Sequence, residues 1–197
     1  MKNFIHTCMC LLFVVVGLSC KKSTPNDPNT VTDIDGNVYK TVKIGNQTWM
    51  AENLRTTKYR NGDPIPLITD AGAWSNLGSG AYHGPFFADK LEYGNFYNWF
   101  AVSDPRNIAP EGWHVATDAE FTELASFLGG NAIAGNKLKE TGTTHWNNPN
   151  SGTNESGFTA LGNGIVSATD GNIASAWVLT TFTVWANTLA PGTSYPI

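Results

Sequence analysis

The segment 145–155 brings together residue types that could bind a ligand. It contains an imidazole, an indole, amides and a carboxylate, on His145, Trp146, Asn150 and Glu155. An aromatic ring offers an apolar platform and the polar groups offer hydrogen bonds, a combination that small-molecule sites use. Glu52 adjoins another aromatic and polar stretch. These five residues form the candidate ligand surface. The alternative is that Trp146 packs in the core and the asparagines form turns.

Catalytic chemistry has less support in these residues. Hydrolysis of a polysaccharide needs two carboxylates placed across the sugar, and Glu52 or Glu155 could supply one of them. A serine nucleophile would lack its Gly-x-Ser-x-Gly motif. The histidines beyond the N-terminal segment are dispersed, without an HExxH pattern, at His83, His114 and His145. We therefore predict that the chain is not an enzyme and holds no metal, with a polysaccharide hydrolase as the alternative.

The N-terminus has the features of an exported lipoprotein. Lys2 precedes an apolar run over residues 5–16, which is too short to span a bilayer as a helix. The run ends in small residues before Cys20, which resembles the lipobox of bacterial lipoproteins, where the cysteine is lipidated after cleavage. We predict a signal peptide over residues 1–19, acylation of Cys20 and a flexible tether over residues 20–30. An ordinary secretory signal with an incidental cysteine is the alternative.

Charge and cysteine content narrow the choice of partners. Cys8 and Cys10 lie in the signal peptide, so the mature domain has no disulfide and no cysteine ligand for a metal. The formal net charge is −4 and there is no run of Lys or Arg, which argues against a nucleic-acid partner. We predict two partners: the membrane, through the lipid anchor, and a glycan or an envelope protein. The predicted location is the cell envelope, as an outer-membrane lipoprotein that faces the periplasm or the cell surface.

Local patterns predict the strands that position these side chains. An Asp-Gly hairpin signal precedes two predicted strands, residues 38–44 and 47–50, which a Gly-Asn turn joins. In the first strand the valines and Ile44 share one face, and Tyr39 lies on the other. This alternation predicts a sheet that is buried on one side. Residues 61–87 are rich in Gly, Pro, Ser and Asn with aromatics interspersed, which predicts long ordered loops.

A helix is predicted to begin after Thr117. Thr117 and Glu120 have the spacing of a capping box, and a Gly-Gly pair follows the last apolar position. The apolar face of this helix has the spacing i, i+3, i+4 and i+7, on Phe121, Leu124, Ala125 and Leu128. A second, shorter helix is predicted over residues 132–139.

Six short motifs occur in a distinctive order along the chain. They are WMAENL at 49–54, YGNFYNW at 93–99, PEGWHV at 110–115, TDAEF at 117–121, GNKLK at 135–139 and NESGFTAL at 154–161. The series resembles the Fibrobacter succinogenes major paralogous domain, a family found on exported proteins and lipoproteins. That family is similar in turn to the C-type lectin-like fold and to formylglycine-generating enzymes. The resemblance implies a small mixed α+β domain over residues 31–197, C-type lectin-like, with a twisted and mostly antiparallel sheet, one or two helices and long loops.

The resemblance does not imply a reaction, because the family has no settled activity. An enzyme of the formylglycine-generating kind would need reactive cysteines, which the mature domain lacks. Lectin-like calcium sites use a carboxylate-Pro-Asn trio, and Asn148 stands where the carboxylate is expected. We therefore predict no cofactor and a glycan- or protein-binding module. The alternatives are a polysaccharide hydrolase and a structural adhesin or fibre subunit.

The C-terminal region departs most from the family pattern. Residues 171–197 contain no charged residue, and residues 177–185 have the composition of a strand. We expect either a divergent final strand buried on both faces or, as the preferred hypothesis, a truncated or frameshifted end that lacks the closing strands. The second hypothesis predicts that the strand meander near residues 38–44 has an open edge and that the domain is association-prone.

Overall fold

The computed structural model of the 197-residue chain describes residues 27–85, 87–167 and 178–187. The predictions for the signal peptide and for Cys20 lie outside these residues, as do most of those for residues 171–197. The described chain is a small mixed α+β domain with short antiparallel sheets and a few helices. The predicted α+β class is confirmed.

Two antiparallel sheets contain the strands of the described chain. The first has the order β1-β2-β3, with β1 at Thr30–Thr32, β2 at Val38–Ile44 and β3 at Gln47–Met50. The second pairs β4, Tyr82–His83, with β5, Phe96–Tyr97. The two strands predicted from the hairpin pattern are therefore confirmed. In the YGNFYNW motif only Phe96 and Tyr97 form a strand. Gly94, with a φ of 67°, ends the preceding 3₁₀ turn at Leu91–Tyr93, and Asn98 caps the helix that follows.

The described residues form four α-helices. They are α1 at Ala71–Ser75, α2 at Trp99–Val102, α3 at Asp118–Phe127 and α4 at Asn131–Leu138. The capping box of α3 forms as predicted: Thr117 accepts from the main-chain N–H of Glu120, and the Glu120 carboxylate accepts from that of Thr117. No helix in the described part of the chain is long and apolar enough to cross a membrane.

Helix α3 builds one of two apolar clusters. Leu124 and Leu128 are buried against Ile44 of β2 and Phe158, and Phe121 packs on the same cluster. The predicted apolar face of α3 is thus the face that meets the first sheet. The second cluster lies around α2 and the loops before it, and consists of Tyr59, Ile65, Tyr97, Ala101, Val102 and Ile108.

The prediction that the sheet is buried on one side only is wrong. Tyr39 is 0% exposed, while Val38, on the opposite face of β2, is 51% exposed. The loop after β3 covers Tyr39, since the Arg55 guanidinium lies 4.5 Å from the ring centroid and the Arg55 N–H donates to the Tyr39 hydroxyl. That hydroxyl in turn donates to Asp33 across 2.5 Å. Each face of β2 is therefore buried along part of its length.

The prediction that residues 177–185 form a strand is wrong for residues 178–185. Residues 178–187 form a turn and irregular chain rather than a strand. Two main-chain hydrogen bonds hold this segment to the residues around Asn163, from Leu179 N–H to Gly162 O and from Gly164 N–H to Thr181 O. In the meander near residues 38–44, β2 pairs with β1 on one side and β3 on the other, so β1 and β3 are the edge strands of this sheet in the described fold.

Candidate functional site

An open cleft of about 760 Å³ is lined by five parts of the chain. These are β3 with the residues that flank it, residues 93–102, the loop 108–116 with the first turn of α3, residues 158–163, and residues 182–185. We call it the aromatic cleft because three partly exposed indoles line it, those of Trp49, Trp113 and Trp185.

Trp49 is held in the cleft by the strand that carries it. It pairs with Val42 across β2 and β3, and its ring lies 5.1 Å from Phe121 and 6.0 Å from Phe158, between ring centroids. The indole N–H donates to Gln47 Oε1 at 3.2 Å. Trp49 is therefore a fixed platform that remains partly open to solvent.

Trp113 is positioned by a single arginine from a distant loop. The Arg60 guanidinium donates to the carbonyl oxygens of Ala109 at 3.0 Å, Pro110 at 2.8 Å and Trp113 at 2.5 Å. The planar guanidinium has several N–H donors in fixed directions, so one side chain can hold three carbonyls of the same loop. Arg60 thus fixes the loop that places Trp113 at the cleft.

Next to Trp113, an acid and an imidazole line the cleft. Glu120 Oε1 lies 2.8 Å from His114 Nε2, and Glu120 Oε2 accepts from the Thr117 main-chain N–H at 2.7 Å. This main-chain hydrogen bond and the hydrogen bonds from His114 and the Thr117 hydroxyl outweigh partial burial, and they lower the pKa of Glu120 below its usual value. Glu120 is therefore an anion at neutral pH.

The formal charge of the cleft is negative. Glu52 also lines it, and its Oε2 accepts from the Lys40 main-chain N–H at 2.6 Å. Among the described residues that line the cleft there is no Lys, Arg or Asp. The two glutamates and one histidine of the lining give a formal charge of −2 with the imidazole counted as neutral.

The remaining wall comes from residues 182–185, and Asn163 holds it. The Asn163 amide pairs with the main chain of Thr183, accepting from its N–H at 3.0 Å and donating to its carbonyl at 3.2 Å. Trp185 donates its indole N–H to Tyr97 O at 2.7 Å. An asparagine side chain here replaces the main-chain pairing that a strand would provide.

The structure places three of the predicted site residues in a separate part of the fold. His145 is largely buried, with Nδ1 2.8 Å from Glu140 and Nε2 3.6 Å from Glu92. Trp146 is 3% exposed, and its N–H donates to Ala160 O at 3.0 Å. Asn150 donates to the carbonyls of residues 140 and 142 at 2.7 Å each. In this segment the indole packs inward and the amide joins neighbouring loops.

The two predicted carboxylates do not share a site. Glu155 is exposed and pairs with Lys137 at 3.4 Å, while Glu52 lines the aromatic cleft. Of the five predicted residues, only Glu52 is among those that line the cleft. In residues 27–85, 87–167 and 178–187 no group of three or more His, Cys, Asp or Glu side chains could hold a metal ion.

Sequence analysis missed four site residues, Trp49, Trp113, His114 and Glu120. All four lie in the family motifs, at 49–54, 110–115 and 117–121. Glu120 was assigned only its capping role, which it fulfils while one of its oxygens faces His114. The local signal was an aromatic residue next to polar ones in consecutive motifs, but nothing in the chain order indicates that residues 49 and 113 line one cavity.

These features define the class of protein: a small α+β domain with an open, aromatic and acidic cleft. The chain belongs to the Fibrobacter succinogenes major domain family, whose model matches residues 42–192, about three-quarters of the 197 residues. The match extends beyond the last of the six motifs, at 154–161, and includes residues 171–192. Searches among curated proteins and among solved structures gave no match, so the likeness to the C-type lectin-like fold stays a prediction.

Proposed function

We propose that this protein is a binding module of the cell envelope that takes a glycan in the aromatic cleft. The observation that carries the proposal is the presence of Trp49 and Trp113, both partly exposed, in one cavity with Glu52, Glu120 and His114. The C–H faces of a sugar ring can pack on an indole, and sugar hydroxyls can donate to carboxylates and bond to imidazole. An apolar surface with a few polar groups is the usual composition of such sites.

The test is incubation of the protein with an array of immobilised polysaccharides. We expect binding without cleavage, and we expect Trp113→Ala to weaken it by about tenfold or more, since aromatic anchors dominate binding energy. The matched control is Phe127→Ala, because Phe127 is 64% exposed and lies outside the cleft lining. Thermal unfolding of both variants separates loss of binding from loss of folding.

Three results of that array distinguish the candidate functions. Binding that Trp113→Ala abolishes and Phe127→Ala preserves supports the glycan-binding module. Release of soluble sugar would favour the polysaccharide hydrolase, for which Glu52 is the predicted residue that lines the cleft. Silence across the array would contradict both and leave the adhesin or fibre subunit.

We further propose that the domain is tethered to a membrane through acylated Cys20. The support is the apolar run that ends in small residues before this cysteine. Each buried methylene contributes about 0.8 kcal/mol, so two or more acyl chains would anchor the protein stably. The Cys20→Ser variant should appear in the soluble fraction with an altered mass after processing. Unchanged fractionation and processing would contradict the anchor.

A further inference from the structure

The charge of the aromatic cleft limits the sugars that it can accept. Glu52 and Glu120 are both partly buried, where an ionic interaction is less screened by water than on an open surface. The lining residues in the described part of the chain include no lysine or arginine that could neutralise them. A ligand with carboxylate or phosphate groups would therefore enter against a field of its own sign.

The two carboxylates also lie in the same cavity as two aromatic faces. A protonated amine is attracted to a carboxylate by charge and to an indole face by the ring quadrupole. Neutral sugars could use the indoles and hydrogen bonds but would leave the negative charge uncompensated. The cleft therefore favours a ligand that carries both a sugar ring and a positive charge.

We infer that the aromatic cleft binds a polysaccharide with free amino groups, such as a chain of glucosamine units. This inference rests on the proposed glycan-binding function and adds the charge class of the ligand. Glu52 and Glu120 are the residues that select for the amine, and Trp49 and Trp113 are the platforms for the sugar rings.

Three oligosaccharides of equal length test the inference on the full chain: a glucosamine oligomer, its N-acetylated form and a galacturonate oligomer. At a pH of about 5.5 most amines of the glucosamine oligomer are protonated, while the pH is still above the value of about 4.3 for a glutamate side chain in solution. We expect calorimetry to give the tightest binding for the glucosamine oligomer and the weakest for galacturonate. Raising the ionic strength well above about 0.15 M should reduce the difference in affinity between the glucosamine oligomer and its N-acetylated form, because salt screens the attraction between charges.

Substitutions then assign the preference to the two acids. Glu52→Gln and Glu120→Gln should each weaken binding of the glucosamine oligomer about fivefold and binding of the N-acetylated oligomer by less, because a glutamine oxygen still accepts from a sugar hydroxyl but carries no charge. Glutamine can replace glutamate in a capping box, so Glu120→Gln keeps the cap of α3. The matched control is Asp89→Asn, which removes an exposed carboxylate outside the cleft lining and should change neither affinity.

The possible failures are distinguishable. If the oligomers bind with equal affinity, or galacturonate binds best, the preference for amines is overturned while the glycan-binding proposal stands. An equal effect of Asp89→Asn and Glu52→Gln would also overturn it, because the whole surface charge would then be responsible. If none of the three oligomers binds and the polysaccharide array is silent, the proposed function itself fails.

Discussion

Removing the Arg60 guanidinium should destabilise the loop that carries Trp113. The change is Arg60→Met, which keeps an unbranched side chain and deletes the donors to Ala109, Pro110 and Trp113. A hydrogen bond to a charged group contributes about 1.5–3 kcal/mol. One side chain makes all three bonds, and the freed carbonyls can recruit water because the site is only partly buried. We therefore expect a total loss of about 2–4 kcal/mol.

The measurement is urea unfolding followed by circular dichroism, together with amide hydrogen exchange of residues 109–114. The control is Arg106→Met, because the exposed Arg106 side chain bonds to Asp104 at 2.8 Å and Asp63 at 3.1 Å and otherwise only lies 3.9 Å over the Tyr59 ring. Surface ion pairs of this kind contribute about 1 kcal/mol or less. Arg60→Lys should recover only part of the loss, since an ammonium cannot reach three carbonyls at once.

Two results would refute this reasoning about Arg60. One is an equal loss of stability for Arg60→Met and Arg106→Met, which would mean that the three carbonyl contacts add nothing beyond a surface charge. The other is full recovery with lysine, which would mean that the charge and not the fork geometry holds the loop. If the Arg60→Met variant is destabilised but still binds on the polysaccharide array, Trp113 keeps its position although the fold is less stable.

Further predictions concern the helices, one turn and acid stability. Thr117→Ala should lower the free energy of unfolding by about 1 kcal/mol through loss of the N-cap, and Leu124→Ala by about 2–5 kcal/mol through truncation of the core. Urea titrations measure both, and equal and negligible losses would contradict the packing of α3. Gly94→Ala should lower the free energy of unfolding by about 2–4 kcal/mol, because φ at Gly94 is 67° and an added Cβ would lie 2.6 Å from Asn53 Cβ. The Cβ added by Gly135→Ala in α4 meets open space, so this change should raise the free energy of unfolding by about 0.5–1 kcal/mol. The pKa of Glu120 is lower in the folded state, so its carboxylate contributes stability above pH 4.5, and this contribution is lost as the pH falls through the folded-state pKa. The melting temperature of Glu120→Gln should therefore depend less on pH in that acid range. An unchanged dependence on pH would contradict the ionic cap.

Local sequence patterns were sufficient to predict those strands and helices whose stabilising interactions join residues close together in the chain. The bounds of β2, β3 and α3 depend on a tight turn, a period of two and a capping box, and each involves residues within a few positions of one another. The burial of Tyr39 could not be predicted in this way, because it depends on Arg55 and the loop after β3. An alternating pattern describes the faces of a strand but not what packs on each of them.

The candidate site shows the same division. The segment with the most suggestive composition, 145–155, contains a buried Trp146 whose N–H is satisfied by Ala160 O. The capping acid Glu120, explained locally by the helix, also lies next to His114 in the cleft. Composition indicates which side chains could bind a ligand, whereas exposure and proximity depend on how distant segments pack.

The sequence by itself determined the family, the α+β class, the hairpin of β2 and β3 and the capped helix α3, because local hydrogen bonds and apolar periodicity specify them. Only the tertiary structure decided that Trp49 and Trp113 line one cleft, that Arg60 positions the loop that carries Trp113, and that residues 182–185 complete the wall. These contacts join residues that are tens of positions apart. Their geometry follows from packing of the whole domain, which no local pattern encodes.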